Sequence, residues 1–94
     1  MKIYLSGAMR GVPNNNFQAF ADAALKLRLE GHDVFNPAAT NLHGMSVGQI
    51  FAYDLNWLCL EAEAVAVIPG WENSLGVAGE IATAKAIGIE VIYL

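Results

Sequence analysis

Five consecutive apolar residues, Ala64-Val65-Ala66-Val67-Ile68, run into Pro69-Gly70 and then into a helical pattern that reaches Ile87. A stretch that is apolar at every position has no wet face. It reads as a strand covered on both sides, as in a parallel sheet. Pro69-Gly70 stops that strand, and Asn73 or Ser74 can cap the helix that follows. The joint sets free backbone N–H groups and the positive end of a helix at the carboxyl edge of a sheet. Open α/β sheets usually bind their ligands at that edge.

The flanking segments supply matching units. Residues 2–6 read as a first strand, and residues 7–13 as a loop with two glycines and Arg10. Asn14, Asn15 or Asn16 can cap a helix whose apolar face is Phe17, Phe20, Ala21, Ala24 and Leu25. Gly31 ends it, and residues 32–36 form a second strand stopped by Pro37. Residues 37–45 are a loop holding His43 and Gly44. Ser46 caps a second helix to about Leu60, with the stripe Val47, Ile50, Phe51, Leu55 and Leu58. Gly88 closes the third helix, and residues 90–94 are the last strand. The alternation predicts right-handed crossovers and one domain over residues 1–94. The expected fold is α/β, a three-layer Rossmann/flavodoxin-like sandwich on a four-stranded parallel sheet of order 2-1-3-4. That order puts the switch point between strands one and three, where Arg10 and Glu80 converge.

Two carboxylates stand out. Asp54 falls inside the apolar stripe of the second helix, at i+4 from Ile50 and i+3 from Phe51. A buried, unpaired carboxylate is costly, so Asp54 needs a partner, a raised pKa or a cavity to face. A helix-edge aspartate satisfied by a local donor is the plain alternative. Glu80 lies four residues after Gly76, on the same helix face, and helical side chains lean toward the N-terminus. With no side chain at Gly76, the carboxylate can reach back to the loop mouth, although a solvated helix glutamate fits the same spacing. Two carboxylates in different surroundings suit glycosidic chemistry, one as nucleophile and one as acid/base. Arg10 and the Ser74-Leu75-Gly76 turn can supply donors to an anion.

Other chemistries find no support in the sequence. It has no Walker loop, no third glycine for a dinucleotide fingerprint after Gly7 and Gly11, and no nucleophile elbow. His32 and His43 do not make a metal set, and neither metal nor cofactor is expected. The net charge of −4 argues against a nucleic-acid polymer as partner. Cys59, the only cysteine, sits in an apolar helix pattern and is expected to be inert packing in a reducing interior. With 55% hydrophobic and 15% charged residues, some apolar surface is expected to meet a second subunit, as a homodimer or larger homo-oligomer. No signal peptide or membrane-spanning run is legible, so a cytoplasmic location is expected, the host cytoplasm if the gene is carried by a phage.

Three stretches carry a family resemblance: Tyr4-Leu5-Ser6-Gly7-Ala8-Met9-Arg10-Gly11, Tyr53-Asp54-Leu55, and Ser74-Leu75-Gly76 with Glu80. Through them nearly the whole chain resembles the nucleoside 2-deoxyribosyltransferase superfamily. It is most similar to the short members often found in phage genomes and to the deoxynucleoside 5′-monophosphate N-glycosidases. The resemblance implies that Glu80 attacks the anomeric carbon, Asp54 assists the leaving base and Tyr4 positions the glutamate. It also implies that Gly7, Arg10 and Ser74 hold the 5′ end of the nucleotide. The transferases of free nucleosides place an aspartate where this chain has Ser74, and a hydroxyl there suits a phosphate that a carboxylate would repel. Glu63 replaces an aspartate common in the family, at a position expected to be structural. Trp71 is either a stacking lid over the pocket or a subunit contact. The implied function is an N-glycosidase or deoxyribosyltransferase acting on a (deoxy)nucleoside 5′-monophosphate. The rivals are a nucleotide-binding or sequestering protein without turnover, and a small oligomeric scaffold.

Overall fold

The structure is a computed structural model that describes residues 1–40 and 43–94. Strand β1 (Lys2–Ser6) leads to helix α1 (Phe17–Leu29), strand β2 (Asp33–Phe35), helix α2 (Val47–Leu60) and strand β3 (Ala64–Val67). Helix α3 (Leu75–Ile87) and strand β4 (Glu90–Tyr93) complete the chain. All strand pairings are parallel and the order is β2-β1-β3-β4. The fold is therefore the expected α/β sandwich with the expected strand order.

Strand alternation divides the core. Ile3 and Leu5 of β1, with Ala64 and Ala66 of β3, pack against Phe20, Ala24 and Leu27 of α1. Tyr4, Val65 and Val67 point to the other face and pack with Leu58 of α2 and Val77, Ile81 and Ala84 of α3. One helix covers one face and two cover the other, which gives the three layers. Ile68 and Leu94 continue the ladders past the strand ends, donating their N–H groups to Ser6 O (2.8 Å) and Val67 O (2.9 Å). Glu63 is structural: its Oε1 accepts from the Lys2 N–H at 2.8 Å, and its own N–H donates to Lys2 O at 2.7 Å.

Several local expectations need correction. The buried stripe of α1 is Phe20, Ala24 and Leu27, while Phe17 and Leu25 are 51% and 59% exposed. Leu25 stands roughly 140° around the helix from Phe20, too far to share its face. No asparagine side chain caps α1. Asn14, Asn15 and Asn16 all have positive φ, and Asn16 Nδ2 instead donates to Ala8 O at 3.0 Å, tying down the β1–α1 loop. β2 is shorter than residues 32–36 because the Asn36 side chain accepts from the Ala38 N–H and starts a 3-10 turn, Pro37–Ala39. Cys59 is exposed, since α2 turns Asp54 and Leu58 inward and Cys59 lies about 100° beyond Leu58. Val47 begins the α2 stripe but is 56% exposed. Asn41 and Leu42, part of the loop expected at 37–45, lie outside the described residues.

Candidate active site

The two helices that cover one face of the sheet both start from serine caps. Ser46 Oγ accepts from the Gln49 N–H while the Gln49 side chain accepts from the Ser46 N–H, a reciprocal capping box. Ser74 Oγ accepts from the Val77 N–H at 3.2 Å and fixes the start of α3. Between these helix starts and the β1–α1 loop lies a cavity of about 600 Å³. Gly7 and Arg10 line it from the loop, Phe51 and Asp54 from α2, and Ser74, Gly76 and Glu80 from the β3–α3 joint. The cavity thus sits at the carboxyl edge beside β1 and β3, the switch point of the sheet.

Glu80 is only 7% exposed. Its Oε2 accepts a hydrogen bond from the Tyr4 hydroxyl at 2.5 Å, and its Oε1 accepts one from the Ser6 hydroxyl at 2.6 Å. Burial pushes the Glu80 pKa up, and the Ser6 and Tyr4 hydrogen bonds pull it back toward ionisation. The Tyr4 phenol is driven well above its ordinary pKa by burial and by the charges of Glu80 and Asp54, so it stays a donor. Its ring stacks on Phe35 at 5.4 Å, and Phe35 stacks on Trp57 at 5.0 Å. Tyr4 does not line the cavity; it holds Glu80 from the strand behind.

Asp54 is 4% exposed, and its Oδ1 has no hydrogen-bond partner among the described residues. Burial, and then the negative charge of Glu80, push its pKa up to about 7. Near neutrality Asp54 can therefore keep a proton. Both oxygens of Glu80 accept from hydroxyls, which favours its charged form against burial, and Asp54 is able to donate a proton. The two carboxyls thus stand in different surroundings on the same cavity.

Arg10 is exposed and is the one cationic side chain on the cavity wall among the described residues. The Leu75 and Gly76 N–H groups at the start of α3 lie beside Ser74 with no helical acceptor of their own, while the Val77 N–H is taken by Ser74 Oγ. Gly7 is required by close packing, since a Cβ there would come within 3.0 Å of the Phe20 ring. Gly76 is not what clears the path for Glu80, because a Cβ would meet nothing nearer than Ser74 Oγ at 3.8 Å. At Gly79 a Cβ would stand 3.0 Å from the tip of Phe51. Its absence lets that ring form a wall of the cavity.

Trp71 does not join the others. It is half-buried on the α2–α3 side, its ring 5.7 Å from that of Tyr93, and it does not line the cavity. Ser6 was not singled out from the sequence, although its place two residues after Tyr4 puts both hydroxyls on one face of β1. No group of three potential metal ligands occurs among the described residues. No described helix is long and apolar enough to cross a membrane.

Residues 1–93 match the family model described as a domain of unknown function, DUF4406. No curated protein matches the chain. A match over nearly every residue, on a chain folded throughout as one sheet with its helices, means that this protein belongs to the DUF4406 family.

Proposed function

We propose that the protein is an N-glycosidase or deoxyribosyltransferase acting on a (deoxy)nucleoside 5′-monophosphate. The observation that carries this reading is that Asp54 of α2 and Glu80 of α3 line the same cavity, where burial and then the charge of Glu80 raise the proton affinity of Asp54. In the proposed reaction a Glu80 oxygen attacks C1′ of the sugar as the C1′–N bond breaks. The departing base takes its proton from Asp54, and a glycosyl ester of Glu80 remains. Water, or the nitrogen of a second base, then attacks C1′ and gives a proton to the Asp54 carboxylate, freeing Glu80. Arg10, the Gly7 backbone, the Ser74 hydroxyl and the first turn of α3 hold the 5′-phosphate.

The protein works in this reading as a cytoplasmic homodimer or larger homo-oligomer. The support is its exposed leucines, with Leu29 at 78%, Leu60 at 73% and Leu75 at 85%.

The test is to incubate purified protein with a panel of nucleoside and deoxynucleoside monophosphates and look for free base by chromatography. Base release from at least one substrate, lost in a folded Glu80→Ala variant, is expected. Unchanged turnover in that variant removes the mechanism. Binding without base release across the panel leaves a nucleotide-binding protein.

A further inference from the structure

Ser6 is fully buried at the end of β1, opposite Val67 in the register of the sheet. A hydroxyl in that setting is costly unless bonded, and its partner is Glu80 Oε1 at 2.6 Å. Tyr4 alone would leave the carboxylate of Glu80 loosely defined, because the last torsion of a glutamate is broad and roughly two-fold. With Tyr4 on Oε2 and Ser6 on Oε1, both oxygens are held from one central strand and the plane of the carboxylate is fixed. Each oxygen still keeps lone-pair capacity for a substrate.

We propose that Ser6 is a positioning residue that clamps the second oxygen of Glu80 and fixes the plane of its carboxylate at the cavity wall. The catalytic consequence rests on the glycosidase reading, whereas the clamp itself does not. The other titratable or charged groups facing Glu80 are Tyr4 from β1, Asp54 from α2 and Arg10 across the cavity from the β1–α1 loop.

The deciding measurement follows the side-chain carboxyl ¹³C shifts of Glu80 and Asp54 with pH in the wild-type protein, Ser6→Ala and Ser6→Thr. Loss of a charge-assisted donor should move the Glu80 midpoint upward by about one to two pH units in Ser6→Ala. Ser6→Thr keeps the hydroxyl and should titrate close to wild type. In base release, Ser6→Ala should move the acid limb of the pH profile by a similar amount, with KM changing less than kcat. A folded Ser6→Ala protein whose Glu80 titrates as in the wild type overturns the proposal. If Ser6→Ala does not fold, Ser6→Cys, close in size and a weak donor, decides: an upward shift supports the clamp and an unmoved midpoint overturns it. The titration needs no substrate, so an inactive wild-type protein would remove the glycosidase reading while the clamp is judged on its own.

Discussion

The Tyr4 hydroxyl donates a 2.5 Å hydrogen bond to Oε2 of Glu80, across 76 positions of sequence. The bond joins the central strand to the third helix, beside the apolar cluster of Leu58, Val65, Val67, Val77 and Ile81. Tyr4→Phe keeps the stack on Phe35 and removes only the donor. It should cost about 1–3 kcal/mol of stability, by leaving a buried carboxylate short of a partner. Urea denaturation checks that loss. In the proposed reaction, base release should fall by roughly tenfold to a hundredfold, and undiminished turnover would exclude Tyr4 from the positioning of Glu80.

Acidification should stabilise this protein. The Asp54 pKa rises from the usual 3.8 to about 7 in the folded state, so between those values the folded chain holds a proton that the unfolded chain has lost. Stability then falls as pH rises through that window and is lowest, for this group, above about 7. Glu80 is shifted in the same direction. The expected outcome is a Tm that climbs from pH 8 toward pH 5, measured by calorimetry. Asp54→Asn should flatten that slope and raise Tm at pH 8.

Two helix glycines three positions apart should respond differently to alanine. At Gly76 the new methyl meets only Ser74 Oγ at 3.8 Å, so Gly76→Ala should gain about 0.5–1 kcal/mol from restricted unfolded-chain freedom. At Gly79 it meets the Phe51 ring, a cavity-lining group, at 3.0 Å, and that ring must give way. Gly79→Ala should therefore lose that gain to crowding, by about 1–3 kcal/mol relative to Gly76→Ala. It should also weaken ligand binding. Paired thermal melts and one binding isotherm for each variant separate the two effects.

Arg10→Ala tests the anion end of the cavity. Loss of the one cationic side chain on the described wall should weaken a nucleoside monophosphate by about tenfold to a hundredfold. The matching nucleoside, without its phosphate, should be affected little. Calorimetric titration of both ligands reads the difference. Equal losses for the two would place Arg10 away from the phosphate.

Features set by near neighbours in the chain were legible before any coordinates. The both-sides-buried β3, the caps at Ser46 and Ser74, and the strand order follow from local patterns and from the handedness of crossovers. The burial of Asp54 was legible for a related reason: a polar residue inside an apolar stripe has to go where the stripe goes. Cys59 and Leu25 face outward, against expectation, because apolar character does not state how a helix is turned relative to the sheet. Trp71, for which the sequence left a lid or a subunit contact open, packs beside Tyr93 and off the cavity wall.

The sequence by itself determined the layers, the sheet edge and the two helices that bring acidic groups to it, because periodicity of 2 or 3.6 residues is a property of the chain alone. Only the tertiary structure decided that Ser6 and Tyr4 grip opposite oxygens of Glu80 and that Asp54 lines the same cavity with an oxygen that has no partner among the described residues. The physical reason is distance along the chain. A hydrogen bond between residues 74 or 76 positions apart depends on how a whole strand and a whole helix pack, to within a fraction of an ångström, and no local pattern encodes that.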